Sequence, residues 1–309
     1  MALAAIWTSP AFAETQLRAI GVFNINSTPA VPLQEFLDRV EETGGDTLSI
    51  NYLGGPSAMP PFEVGSAVSR GVVDIAYVPG SFYTAQMPEV EVLRMSEYSV
   101  AELRETEAWS MLQDLHAEKM NSHLLGIAGE GIEFHLYLTK PVEEMDLTGM
   151  NIRVTPVYRP FFEELGATVV RTSPGDVYTA LERGTIDGYG WASFGLFDFG
   201  WDEFTTHRVD PGFYQTDFNF LVNLETWNGL SDDEKKVLTD AMAWVEERNV
   251  IYADNARAEL ARQDEAGIEA ITFADGQWLA KAKETGWAHI EGLAPEHGPR
   301  LRELVTIAD

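Results

Sequence analysis

An α/β fold of two similar lobes joined by a long helix is the architecture that the sequence predicts. Three observations carry that expectation. Strand-like and helix-like segments alternate through the first two thirds of the chain, a helix–glycine–strand pattern occurs twice at a fixed offset, and the segment from Ser231 to Ala266 contains neither Gly nor Pro.

Leu17 to Phe23 reads as a strand, Val31 to Glu42 as a helix closed by Gly44-Gly45, Leu48 to Tyr52 as a strand and Phe62 to Arg70 as a short helix. Asp74 to Val78 follows as a buried strand, and Ala101 to Met120 as one long helix with Leu103, Met111, Leu112 and Leu115 among its apolar positions. This βαβαβ order argues for a mainly parallel sheet, in which ligands bind at the carboxyl ends of the strands. A second α/β run places strands at Leu124 to Ala128, His135 to Leu138, Asn151 to Val154 and Thr168 to Val170, with helices at Val157 to Leu165 and Pro174 to Glu182.

The two runs share a pattern. Val64-x-x-Ala67-x-x-Arg70-Gly71-x-x-Asp74 recurs as Val177-x-x-Ala180-x-x-Arg183-Gly184-x-x-Asp187. In both copies an amphipathic helix ends at a Gly, which enters the left-handed conformation of a helix end cheaply, and a strand begins just past an Asp. Such punctuation is common in α/β folds; its ordered recurrence points to two lobes facing each other.

In the last third, Ser231-x-x-Glu234 forms a capping box, and Val237, Leu238, Ala241, Met242, Val245, Ile251 and Leu260 keep a helical period. Unbroken, this helix would be about 50 Å long at 1.5 Å per residue and would cross both lobes as a spine. A break near Asn249 is the other outcome. Ile268 to Phe273 and helices around Trp278 to Ile290 and Pro299 to Val305 would then cover a sheet.

Composition narrows the function classes. The 309 residues include 49 Asp and Glu against 21 Lys and Arg, a net charge of -28, and no cysteine. Such a surface repels phosphate backbones and anionic headgroups, which argues against nucleic-acid and peripheral membrane partners. The lack of cysteine removes disulfide scaffolds, thiol nucleophiles and Cys-containing metal sites. Met1 to Ala13 is apolar and ends in Ala11-Phe12-Ala13 before the polar Glu14-Thr15-Gln16, which fits the end of a secretory signal and its cleavage site. No later segment has the length and apolarity of a membrane-spanning helix.

Catalytic signatures are lacking. No nucleotide-binding glycine fingerprint, P-loop, G-x-S-x-G elbow or H-E-x-x-H motif occurs, and the six histidines show no metal-ligand spacing on one helix face. Adjacent acids such as Glu143-Glu144 and Asp232-Asp233 do not face each other on a helix and read as solvated charge. No cofactor or metal is therefore expected, and the chain is read as a binding protein rather than an enzyme.

The segment Asp146-Leu147-Thr148-Gly149-Met150-Asn151-Ile152-Arg153-Val154-Thr155-Pro156 resembles a motif of the substrate-binding proteins of tripartite ATP-independent periplasmic (TRAP) transporters, the DctP family. Leu165-Gly166-Ala167-Thr168, Asp176 to Leu181 and Gly184-Thr185-Ile186-Asp187-Gly188 follow in family order. Gly54-Gly55, Arg70 to Asp74 and Leu230 to Glu234 also fit, so the resemblance spans nearly the whole mature chain. It implies a two-lobe periplasmic binding protein of type II-like architecture, with mixed sheets, a ligand cleft between the lobes and a long helix spanning both. The expected division is residues 14–129 with 216–250 in the first lobe and 130–215 with 251–309 in the second. It further implies a periplasmic monomer that takes a small organic acid to small and large TRAP membrane subunits. Another importer's binding component, a chemoreceptor, and a two-lobed periplasmic hydrolase or isomerase are the alternatives.

The resemblance assigns Arg153 to the ligand carboxylate. The residue type agrees, because a planar five-donor guanidinium at a strand end suits bidentate carboxylate binding. Two departures from the family point away from its usual dicarboxylate or sialic-acid ligands. Gly131 to Tyr137 lacks the further Arg that many members carry, and Tyr189-Gly190-Trp191 follows Asp187-Gly188 in place of a Glu or Asn. A monocarboxylate with an apolar or aromatic body is expected instead. Phe82, Tyr83, Trp191, Phe194, Tyr214 and Phe218 are candidates to hold that body, with core packing as the competing role for each. Trp191 and Tyr214 stand out because neighbouring Gly190 and Gln215 suggest exposed loop ends. Asn24, Ser193 and His135 complete the candidate ligand set, with turn formation the alternative for Asn24.

Overall fold

The computed structural model describes residues 15–45 and 47–307, so the leader expected over residues 1–13 lies outside the described residues. Eleven strands are described: β1 (Thr15–Gly21), β2 (Leu48–Tyr52), β3 (Ile75–Pro79), β4 (Ser122–Ala128), β5 (Phe134–Leu138), β6 (Asn151–Val154), β7 (Thr168–Arg171), β8 (Gly188–Ala192), β9 (His207–Asp210), β10 (Phe218–Asn223) and β11 (Glu269–Thr272). They form two sheets, ordered β2-β1-β3-β10-β4 and β11-β9-β5-β8-β6-β7. The helices of the same chain are α1 (Val31–Gly44), α2 (Val64–Ser69), α3 (Val100–Arg104), α4 (Glu107–Met120), α5 (Arg159–Glu164), α6 (Val177–Glu182), α7 (Leu224–Gly229), α8 (Asp232–Glu247), α9 (Asn249–Glu265), α10 (Gln277–Leu293) and α11 (Gly298–Val305). Among the described residues no helix is long and apolar enough to cross a membrane.

Both sheets are mixed and alike. β1 runs parallel to β2 and β3, and β6 parallel to β7 and β8. β10 is antiparallel to β3 and β4, as β5 is to β8 and β9. The antiparallel strand has a topological origin: β5 follows β4 across to the other sheet, and β10 follows β9 back. Each therefore enters its new sheet against the direction of the resident strands. β3 contributes Ile75, Ala76, Tyr77 and Val78 to the core with no exposed face, as expected of a strand covered on both sides.

The sequence repeat has a structural counterpart. α2 and α6 are each six residues long and end at Gly71 and Gly184, both left-handed, with φ of 68° and 61°. Just beyond, each Asp carboxylate accepts from the backbone of the neighbouring strand, Arg18 N to Asp74 Oδ2 at 2.8 Å and Asn151 N to Asp187 Oδ2 at 2.9 Å. The same three-residue step after the helix thus ties one strand to the next in each lobe.

Two expected helices are divided. Instead of one helix over residues 101–120, α3 starts at a Ser99–Glu102 capping box and α4 restarts after Thr106, whose hydroxyl donates to the Leu103 carbonyl at 2.7 Å. The long C-terminal helix keeps its Ser231–Glu234 capping box but bends at Arg248, between α8 and α9. Asn249 explains the bend's place: its Oδ1 accepts from Gly129 N at 2.9 Å and its Nδ2 donates to the Ile127 carbonyl at 3.3 Å. The spine is thereby fastened where the chain leaves β4 for the second sheet. Beyond it, α10 packs against residues 88–95 and α5, while α11 packs against α4 and residues 88–95, so the C-terminal helices touch both halves of the molecule.

Candidate functional site

Arg153 lies on β6, flanked by β7 and β8, and is fully buried. Its Nε and Nη2 donate to the Thr172 carbonyl at 3.2 and 2.9 Å, and Nη1 donates to the Gly190 carbonyl at 3.2 Å. A guanidinium has five N–H groups, so two keep no acceptor among the described residues. None of those residues places a carboxylate within salt-bridge distance of it. Burial pulls the guanidinium pKa down, against the opposing pull of the Tyr158 hydroxyl. An arginine remains cationic even so, which leaves a dry, partly uncommitted positive charge. Tyr158 also donates to the Gly190 carbonyl, at 3.0 Å. Gly190 must lack a side chain, because a Cβ there would lie 2.6 Å from the Tyr158 ring.

In front of Arg153 the two lobes meet through aromatic rings. Trp191 on β8 lies edge-on to Phe23 at 6.3 Å between centroids, Phe194 to Phe218 at 6.2 Å, and Phe23 to Phe218 at 5.8 Å. The Arg153 guanidinium stands 5.6 Å from the Trp191 ring. These rings, with Phe82, Phe134 and Tyr158, enclose a cavity of about 20 Å³. Its polar lining is sparse: Ser81, Thr155 and Asp217. The Thr155 hydroxyl is buried and has no hydrogen-bond partner among the described residues. Thr28 N donates to Asp198 Oδ2 at 2.7 Å, a further bond between the lobes.

Ser81 and Phe82 also border a larger cleft of about 740 Å³. Its lining includes Arg159 and Arg171 from the second lobe, the buried Glu91 from the first and His289 from α10. Arg159 is held by Glu163 at 2.8 Å, whereas Arg171 lies over the Phe62 ring at 4.2 Å.

The candidate residues divide into two groups. Phe82, Trp191, Phe194 and Phe218 surround the aromatic cavity, with Arg153 directly behind Trp191. The others lie elsewhere. Tyr214 is 4% exposed, donates to the Ala282 carbonyl at 2.7 Å and carries Arg94 over its ring, so it is a packing residue under α10 rather than an exposed loop end. Trp191 is also buried, its indole N–H donating to the Phe194 carbonyl at 3.0 Å. The reason is common to both: the flanking Gly190 and Gln215 belong to paired backbone, not free loops. Tyr83 sits in the first lobe's core, 3.0 Å from His116 Nε2. His135 Nδ1 lies 3.0 Å from both the Val209 carbonyl and the Asp210 carboxylate, facing the crossover rather than the cavity. Ser193 uses its backbone, bonding Glu133 and Gln263. Asn24 is exposed and accepts from Asn26 N at 3.0 Å, the turn-forming role.

Phe23, Ser81, Phe134, Thr155, Tyr158 and Asp217 also line the cavity, with Pro29, Pro79 and Ala192, and were missed by the sequence reading. Thr155 and Tyr158 were reachable, standing two and five residues after Arg153 at the carboxyl end of β6. Phe23 ends the first predicted strand at the same kind of position. Asp217 had no signal, because β10 itself was not predicted.

Two α/β lobes, each completed by a strand from beyond the crossover and meeting over a ringed cavity, define the class of two-lobed solute-binding proteins. The chain belongs to the bacterial extracellular solute-binding protein family 7, whose model matches residues 26–289. A monocarboxylate 2-oxoacid-binding periplasmic protein of Nostoc sp. is 22% identical over 216 residues, covering 66% of this chain and 58% of that protein. A Bordetella pertussis extracytoplasmic solute receptor binding pyroglutamic acid shares the fold at a TM-score of 0.83 and 18% identity, covering 94% of this chain and 98% of that one. A TRAP periplasmic solute-binding protein of Desulfovibrio desulfuricans, with bound sn-glycerol-3-phosphate, gives a TM-score of 0.84 at 16% identity, covering 96% and 99%.

Proposed function

We propose that this protein is the periplasmic receptor of a TRAP transporter, capturing a small organic acid between its lobes and presenting it to the membrane subunits. The observation that carries this reading is Arg153: a buried guanidinium with two uncommitted N–H groups and no carboxylate partner among the described residues. A charge left dry in this way is costly unless a ligand anion completes it. The surrounding rings of Phe23, Phe82, Trp191 and Phe218 suit a monocarboxylate with an apolar or aromatic body. Similarity to receptors described as binding 2-oxoacids and pyroglutamic acid supports the same ligand class. We further assign residues 14–129 with 216–250 to one lobe and 130–215 with 251–309 to the other, α11 of that last stretch packing back against α4 and residues 88–95 of the first, with export through the leader of residues 1–13 and function without catalysis.

A cavity of about 20 Å³ has room for roughly one water. Ligand entry therefore requires the lobes to part, and the adjoining 740 Å³ cleft gives the route past Ser81 and Phe82. A thermal-shift panel tests the reading, because a ligand that binds the native state raises its stability by mass action. The panel comprises 4-methyl-2-oxopentanoate, phenylpyruvate, pyroglutamate, orotate, galactonate and glycerol 3-phosphate. Carboxylates are expected to raise the melting temperature; a response to glycerol 3-phosphate alone would refute the carboxylate assignment.

A further inference from the structure

We propose that Asp217 contacts the ligand as a neutral carboxyl group, donating a hydrogen bond from Oδ1 to a ligand oxygen, so that binding above neutral pH takes up a proton. The inference rests on the carboxylate-receptor reading and adds a second polar contact to it. Its ligand class is an acid with a further oxygen acceptor beside the carboxylate, such as a 2-oxo, lactam or hydroxyl oxygen.

Asp217 immediately precedes β10, is 5% exposed, and lines the aromatic cavity with Phe23, Trp191 and Phe218. Its Oδ2 accepts from Gly80 N at 3.1 Å and Asn219 Nδ2 at 3.0 Å. Among the described residues no N–H or hydroxyl donor reaches Oδ1. One oxygen is thus saturated as an acceptor, and the other is left to carry a proton.

The surrounding charges favour that proton. Arg94, the cation that acts on Asp217, is committed to Glu91 at 2.7 Å and lies over the Tyr214 ring. Tyr83 faces Asp217 across Asn219, and Tyr158, on the same cavity, spends its hydroxyl on Gly190. Glu130 and Tyr98 line a second small cavity that Asp217 also borders, and the Glu130 carboxylate accepts from Val100 N. Among the described residues the Arg94 Nε–H has no acceptor, but Glu91 offsets the Arg94 charge and no other cation acts on Asp217 from these elements. Burial pushes its pKa up to about 7, against the hydrogen bonds from Asn219 and Gly80 and the field of Arg94. An anionic ligand entering the same cavity raises it further, since like charges in one site cannot both persist cheaply.

Calorimetry with 4-methyl-2-oxopentanoate and pyroglutamate, each at pH 8 in phosphate and in Tris, reads the proton directly, because the two buffers differ in ionisation enthalpy. The expected result is an uptake approaching one proton per ligand at pH 8, falling toward zero at pH 5.5. Asp217→Asn, whose amide keeps a donor in place, is expected to bind within about tenfold of the native protein with the uptake abolished. Asp217→Ala is expected to lose more than tenfold. Binding heat without proton uptake, or unchanged uptake in Asp217→Asn, overturns this inference and leaves the receptor reading standing. Absence of heat with both acids, after a flat thermal-shift panel, overturns the receptor reading and this inference with it.

Discussion

Arg153 and Tyr158 converge on a single acceptor, the Gly190 carbonyl, at 3.2 and 3.0 Å. The shared acceptor fixes the guanidinium against the strand that carries Trp191 and holds Tyr158 in the cavity wall. A change at any of the three positions is therefore felt at the other two.

Tyr158→Phe leaves the ring and removes its donor. Gly190 keeps Arg153 as a partner, so the expected stability loss is about 1 kcal/mol. Denaturant unfolding measures the loss, and calorimetry should show weaker ligand binding because the Arg153 head group is less firmly placed. Unchanged affinity would show that Arg153 does not depend on this anchor.

Trp191→Phe keeps a ring between Phe23 and Arg153 but loses the indole N–H bond to the Phe194 carbonyl. A stability loss of about 1 kcal/mol is expected, with a measurable drop in affinity. Tyr214→Phe supplies the contrast. It removes the bond to Ala282 and should cost a similar amount of stability while leaving affinity unchanged. Loss of binding in Tyr214→Phe would overturn its placement outside the site.

The pH dependence of stability is set in part by three groups, the buried Asp217 and His116 and the half-buried His123. Asp217 has its pKa raised by burial from 3.8 to about 7, so the native state holds a proton that the unfolded chain releases. Its contribution is complete below about pH 4 and is lost as pH rises toward 7, on the order of 4 kcal/mol. His116 and His123 act in the opposite sense: burial lowers both to about 4, so their contribution is complete above pH 6.5 and is lost as pH falls toward 4. Asp217→Asn should therefore gain most, relative to the native protein, at pH 8 and least at pH 5. Equal effects at both pH values would contradict the assignment.

The spine's fastening can be tested at Asn249. Asn249→Ala leaves the buried Gly129 N–H without its acceptor, and a loss of about 1–3 kcal/mol is expected. Urea unfolding would show it as a lower midpoint at unchanged slope.

What the sequence disclosed was mostly local. Most helix and strand positions followed from hydrophobic periodicity, though β9, β10 and α7 did not, and Gly71 and Gly184 marked equivalent helix ends because a left-handed residue has few alternatives to Gly. Arg153 was legible through the motif around it and through the rarity of an arginine in an apolar strand. Tertiary relationships were less accessible. Tyr83 and Tyr214 were placed near the ligand by their nearness in sequence to loops, yet their side chains turn inward to His116 and Ala282. Asp217 joins Gly80 across 137 residues of sequence, a pairing created by β10 returning to the first sheet. Nothing in its neighbours announces that return, since Phe218 to Asn223 is a fully buried strand without alternation.

The most direct test is a crystal structure with 4-methyl-2-oxopentanoate or pyroglutamate bound, together with calorimetry on Arg153→Lys. Ligand carboxylate oxygens are expected about 2.7–2.9 Å from the Arg153 guanidinium, with a loss of about 2–5 kcal/mol of binding free energy in the variant. A carboxylate resting instead on Arg159 or Arg171 in the outer cleft, with affinity unchanged in Arg153→Lys, would contradict the role of Arg153.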